Sequence, residues 1–113
     1  MEYPDDDGQQ AAPQGPAPII FEGIVRHLCV AATYNRANIV LAPHVIYTKH
    51  DDLFTDAVVL ERDGKPPKEL KIGTFKLAGL AGLALTARQF FTSDLFDRTS
   101  FKYADALMAV EAG

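Results

Sequence analysis

The sequence predicts a small, mainly β domain: one short helix followed by five short strands that curl into a sheet or barrel. Three observations predict it. Apolar residues recur every fourth position up to about residue 28 and every second position after it. Clusters of Asn, Asp, Gly and Pro interrupt the alternating part at short intervals, as hairpin connections do. The chain has 113 residues, 48% of them hydrophobic, which is enough for one core and too little for two.

The first 18 residues stand apart. They hold Glu2, Asp5, Asp6 and Asp7 with no Lys or Arg, which accounts for the whole net charge of -4, together with Pro4, Pro13, Pro16 and Pro18. Such a segment buries too little apolar surface to offset its ordering entropy, so residues 1–18 are expected to form a disordered acidic tail and 19–113 the domain. Ile20, Ile24 and Leu28, with Phe21, Val25 and Cys29 beside them, make the apolar stripe of a helix over about 19–27. Leu28, Val30, Ala32 and Tyr34 alternate as a first strand, and Asn35 to Asn38 form a turn. The second strand, Ile39 to Tyr47, is apolar on both faces and is expected to be covered on both. Within it Pro43 marks an edge or a bulge, because it has no N–H for the ladder. Lys49 to Asp52 turn the chain into a third strand, Leu53 to Leu60, and a loop over 63–68 leads to a fourth, Leu70 to Leu77, with Gly73 as a candidate bulge. A turn with Gly79 and Gly82 precedes a short fifth strand near Leu83–Ala87. The C-terminal part is aromatic (Phe90, Phe91, Phe96, Phe101, Tyr103) and reads either as a plug for the end of a barrel or as a dimer interface. A last short helix is expected over 101–110, capped by Ser100.

Composition narrows the function classes. No apolar run approaches the roughly 20 residues that cross a bilayer, so no membrane partner is expected. The single cysteine, Cys29, allows no internal disulfide, and no signal-peptide pattern opens the chain, so the cytoplasm is the expected compartment. Residues 19–113 carry 11 basic and 11 acidic side chains and are neutral overall.

The order of short motifs resembles the WYL domain family. Ala32-Thr33-Tyr34 closes a strand. Leu41-Ala42-Pro43-His44 places a Pro near the middle of the next, and Asp52-Leu53-Phe54-Thr55-Asp56-Ala57 follows the hairpin. Phe75-Lys76-Leu77-Ala78-Gly79-Leu80, Leu85 and Phe90 complete the succession over residues 19–91. The family's Trp-Tyr-Leu triplet reads Leu53-Phe54-Thr55 in this chain, and Gly79 stands where its Arg is expected. The resemblance implies a five-stranded SH3-like or Sm-like barrel after a short helix. It also implies a non-enzymatic regulatory sensor, of the kind found in bacterial transcription regulation and phage defence, that takes a nucleotide or single-stranded nucleic acid; for this divergent chain a small ligand or a partner protein is the first expectation. Too few residues precede the domain for a helix-turn-helix, so a free-standing form, dimeric by expectation, is anticipated.

On this reading Tyr34, His44, Phe54 and Lys76 wall the ligand pocket, with room at Gly79. A second reading is a single-stranded nucleic-acid-binding barrel using Lys65, Lys68, Lys71 and Lys76, where five basic residues between Arg62 and Lys76 face two acidic ones. That binding is expected to be weak. An enzyme is a third reading with little to support it. His27 and Cys29 are two apart and would point away from each other on a helix. His44, His50, Asp51 and Asp52 match no metal-ligand spacing, and Gly79-Leu80-Ala81-Gly82 reads as a turn. No metal or cofactor is expected.

Overall fold

A computed structural model describes residues 15–111. The fold is one helix followed by a six-stranded antiparallel sheet. The elements are α1 (Pro16–Arg26), β1 (Leu28–Tyr34), β2 (Ala37–Lys49), β3 (Asp52–Arg62), β4 (Ile72–Lys76), β5 (Ala81–Gln89) and β6 (Ala106–Ala109), with single 3-10 turns at Leu77–Gly79 and Phe101–Tyr103. The sheet runs β4-β3-β2-β1-β5, and β6 pairs with β2.

The helix begins at Pro16, earlier than expected, so residues 15–18 belong to the domain; residues 1–14 of the expected tail lie outside the described residues. Pro16 is tolerated because the first helical N–H groups have no intrahelical partner. The helix ends where His27 turns left-handed (φ 54°) and its N–H returns to the Gly23 carbonyl. Ile20, Gly23 and Ile24 face the sheet, and Val25 is left 63% exposed.

Three hairpin connections have the same backbone. Asn35-Arg36, His50-Asp51 and Asp63-Gly64 all have positive φ at both central positions, the geometry that matches the twist of paired strands. The third is closed by reciprocal backbone hydrogen bonds between Arg62 and Lys65 and is tied to β2 by Asn38 N–H donating to the Asp63 carboxylate at 2.9 Å.

β2 is the spine of the molecule. One edge pairs with β3 from Ile39↔Arg62 to Lys49↔Asp52. The other edge changes partner, with β1 ending at Val30↔Leu41 and β6 beginning at Val45↔Ala109. Pro43 lies in the gap between these ladders, where a missing N–H costs no pairing on that edge. The β2–β3 register slips between Pro43 and Val45, so the expected bulge is present. The slip exchanges faces: Pro43 turns toward Gly23 of the helix, whereas Val45 and Tyr47 share the opposite face with Phe54 and Asp56. Residues 41–47 are all buried, so the strand is covered on both sides, by α1 and by the C-terminal segment.

Four expectations are corrected. The sheet is open, since β4 and β5 are its two ends and no ladder joins them among the described residues. There are six strands and not five, because 106–109 occupies the edge of β2 that β1 vacates. The helix expected over 101–110 is therefore a 3-10 turn followed by β6; strand pairing overrides a helical spacing too short to stand alone. Gly73 is not a bulge, because β3 and β4 stay in register from Phe54↔Lys76 to Val58↔Ile72.

Candidate functional site

The register brings Tyr47 of β2, Asp56 of β3 and Thr74 of β4 onto one face of the sheet, and the Phe101–Tyr103 turn is laid over them. The centre of this group is Asp56, only 2% exposed. One carboxylate oxygen accepts from the Tyr47 hydroxyl at 2.7 Å and from the Thr74 hydroxyl at 2.8 Å. The other accepts from the Tyr103 hydroxyl at 2.6 Å and from the Lys102 ammonium at 2.9 Å. Lys102 also lies 5.5 Å from the ring centre of Tyr103 and 5.7 Å from that of Tyr47, where the ring faces favour a cation.

The electrostatics follow from these contacts. Burial pushes the Asp56 carboxyl up, but the hydrogen bonds from Tyr103, Lys102, Tyr47 and Thr74 outweigh it and hold the group below its ordinary value. Burial pulls Lys102 down, and Asp56 more than restores it. Tyr47 and Tyr103 are both raised, first by burial and then by donating to an anion. Asp56 is thus a saturated anion and the tyrosines are held protonated. The group anchors structure and has no free base or nucleophile.

Beside this anchor opens a cleft of about 590 Å3 lined by Tyr47, Thr48, Lys49, Thr74, Phe101, Lys102, Ala104 and Asp105. Its wall is the 101–105 turn, in which Phe101 is 93% exposed. Lys49, at the end of β2, is exposed and makes no salt bridge among the described residues. The cleft therefore combines a bare aromatic ring, two ammonium groups, two threonine hydroxyls and one carboxylate.

The residues expected to wall a pocket are dispersed. Phe54 and Lys76 are direct cross-strand partners. Phe54 is half-buried, stacked on Tyr47 at 6.0 Å between ring centres. Lys76 bridges to Asp52 at 3.2 Å. Tyr34 packs edge-on against Phe75, and its ring stands 3.6 Å from where a Cβ on Gly79 would lie, an ordinary packing distance. His44 is 0% exposed and lies between Phe90 and Phe96, so no ligand in the cleft reaches it. Its Nδ1 is 2.7 Å from the Ala42 carbonyl and its Nε2 accepts from Ser93 N–H at 3.0 Å. Burial lowers its pKa, partly countered by the Ala42 hydrogen bond.

The aromatic tail divides. Phe90 and Phe96 are buried and Tyr103 half-buried over the sheet, whereas Phe91 and Phe101 project into solvent. Lys65, Lys68 and Lys71 are exposed on the β3–β4 connection and make no salt bridge among the described residues, while Lys76 sits apart at the far end of β4. Cys29 is buried and its thiol is raised chiefly by that burial, which makes it a poor nucleophile. Among the described residues no three His, Cys, Asp or Glu side chains converge as a metal site would require, and no helix is long and apolar enough to cross a membrane.

Compared with protein-family models, curated proteins and solved structures, the chain matches none of them. The site therefore has to be read on its own geometry.

Sequence reasoning missed Asp56, Thr74, Lys102 and the cleft. One signal was present: Asp56 is a lone charge inside the apolar run Leu53 to Leu60. A charge there needs partners, but which partners depends on a register and a turn 47 residues away.

Proposed function

We propose that this chain is a non-enzymatic, WYL-like sensor domain that binds a small planar anion of the nucleotide class in the cleft beside Asp56. The observation that carries the reading is the pairing of the bare Phe101 ring with the Lys49 and Lys102 ammonium groups around one concave space. A base or similar ring stacks on Phe101, and an anionic group meets Lys49, whose charge is not spent on a neighbouring carboxylate. Thr48 and Thr74 supply hydroxyls that fix orientation. The reading is non-enzymatic because the ionisable groups at the cleft floor are fully committed to one another.

The test is calorimetric titration and thermal melting with adenosine 5′-monophosphate. At a hundred times Kd a ligand of the folded state adds about 2.7 kcal/mol, which raises the melting temperature of a domain this size by roughly 10 °C or more. Phe101→Ala should abolish that rise and leave the ligand-free melting temperature unchanged, because the ring touches little. Full binding by Phe101→Ala would remove the cleft from consideration.

A second reading, single-stranded nucleic-acid binding, is favoured by one observation: Lys65, Lys68 and Lys71 lie exposed on one short connection. A salt titration of binding to a short single strand tests it.

A further inference from the structure

Residues 91–98 cross the sheet face beside β2 and are tied to it sparsely. Among the described residues, the one hydrogen bond between this loop and strands β1 to β5 is Ser93 N–H donating to His44 Nε2. The other polar contacts of the loop are internal, go to the C-terminal end or reach the adjoining residues: Thr92 to the Glu111 carbonyl, Arg98 to the Val110 carbonyl, Leu95 N–H to the Ser93 hydroxyl, and Asp97 accepting from Thr99 and from Ser100 N–H. Phe96 adds an apolar contact, on the ring of the same histidine and on Tyr103. One side chain therefore supplies both the hydrogen bond and a packing surface for the loop.

Both ring nitrogens of His44 are in use, and their partners fix the tautomer. The Ala42 carbonyl can only accept, so Nδ1 carries the hydrogen; Ser93 N–H can only donate, so Nε2 is bare. A proton added at Nε2 would face the Ser93 N–H, donor against donor, on a ring that is 0% exposed. Among the described residues the Ala42 carbonyl at Nδ1 favours the charge, and burial outweighs it. The ionisable groups on the surrounding elements include Glu22 and Arg26 on α1, His27 at the α1–β1 corner, Cys29 on β1, Asp52, Asp56, Glu61 and Arg62 on β3, Arg88 at the end of β5, Asp94, Asp97 and Arg98 on the loop, and Glu111 past β6. None of these hydrogen-bonds to the ring. Asp56 is saturated by its four donors, and Asp97 is engaged by Thr99.

We propose that His44 is a proton-operated latch: its protonation frees the 91–98 loop from β2 while the 101–105 turn stays anchored on Asp56. The inference is independent of the cleft reading, because the released loop and the anchored turn are different segments. The folded value of His44 is depressed below the ordinary 6.5 by burial, so its contribution is complete above that pH and is lost as the pH falls below it. Asp56 is depressed below the ordinary 3.8, so its anchor survives until much stronger acid. Between these windows the loop is free and the turn is held.

The experiment is amide hydrogen exchange by NMR on the ligand-free full chain at pH 7.5 and 5.5, corrected for the intrinsic pH dependence of exchange. Opening that requires an ordinary histidine in the open form rises by about tenfold per pH unit below 6.5, so Ser93 and Phe96 amides should exchange about tenfold faster at pH 5.5. Tyr103 and Ala104 amides and those of β2 and β3 should stay unchanged. The variant His27→Asn with His50→Asn leaves His44 as the only histidine and suits two left-handed positions; it should retain the response. The ring nitrogen spectrum of the native chain at pH 7.5 should show hydrogen on Nδ1. The proposal is overturned by hydrogen on Nε2, by equal acceleration across the whole sheet, by no acceleration at Ser93, or by loss of the response in the double variant.

Discussion

Asp56 carries a charge into a site that is 2% exposed, and four donors are turned inward to meet it. Such a group is expensive to disturb from either side. Removing the carboxylate strands two tyrosine hydroxyls and an ammonium near an apolar sheet face, so Asp56→Ala should cost about 3–5 kcal/mol, as when one partner of a buried ion pair is lost. Tyr103→Phe removes one donor of the four and should cost only about 1–2 kcal/mol. Urea unfolding of both variants measures this. Equal costs would mean that Tyr103 alone carries the anchor, and a cost near zero for Asp56→Ala would mean that the four contacts do not persist in solution. The residue-scale reading from sequence was right about His44, a packed and hydrogen-bonded histidine, and wrong to place it in a pocket wall. Alternation alone puts His44 on a face; the bulge at Pro43–Val45 and the cover from residues 90–96 decide what that face meets.

At the scale of elements, the helix is placed by a glycine. A Cβ on Gly23 would lie 2.9 Å from the Leu28 carbonyl oxygen, 3.0 Å from Val30 and 3.1 Å from Pro43. Ala is intrinsically better than Gly in a helix by about 0.8–1.0 kcal/mol, but overpacking against a backbone oxygen and a rigid ring costs about 1–3 kcal/mol. Gly23→Ala should therefore destabilise the protein by up to about 2 kcal/mol, and a raised melting temperature would contradict the close approach of α1 to β2. The hairpins give the opposite sign. Arg36 is exposed at φ 67°, a conformation glycine adopts freely, so Arg36→Gly should stabilise by about 0.5–1 kcal/mol, read as a rise of a few degrees in melting temperature. These elements also show what the sequence makes legible. β1 to β5 could be read because each carries its own alternation and each turn its own polar cluster. β6 could not, since Phe101, Ala104, Leu107 and Met108 have helical spacing, and the free edge of β2 that recruits 106–109 belongs to a strand more than 60 residues earlier.

For the molecule as a whole, the arrangement of charge decides between the two binding readings. The folded residues 19–113 balance 11 basic against 11 acidic side chains, so no net field draws a polyanion toward the domain. The lysines are also divided. Lys65, Lys68 and Lys71 sit past the C-terminal end of β3, whereas Lys49, Lys76 and Lys102 cluster toward its N-terminal end, where Lys76 is bridged to Asp52 and Lys102 to Asp56. Lys71 directly precedes β4 and lies five residues from Lys76, so about 17 Å of strand separates the two groups where they are nearest. With Lys76 engaged by Asp52, a single strand of nucleic acid would meet three free lysines on the β3–β4 connection, interleaved with Asp63 and Glu69, in place of the four expected from the sequence. Each neutralised phosphate contributes about -0.7 to the salt slope on single strands, so three contribute about -2, and a fourfold rise in salt should weaken binding roughly twentyfold. With a neutral domain behind them, three lysines should bind no tighter than about 10 μM at physiological salt, the level of non-specific contact. Fluorescence anisotropy with a short labelled strand at two salt concentrations, on the native chain and with Lys65, Lys68 and Lys71 changed to Ala, makes the measurement. Submicromolar binding lost in the triple variant would move the functional surface from the Phe101 cleft to the β3–β4 connection.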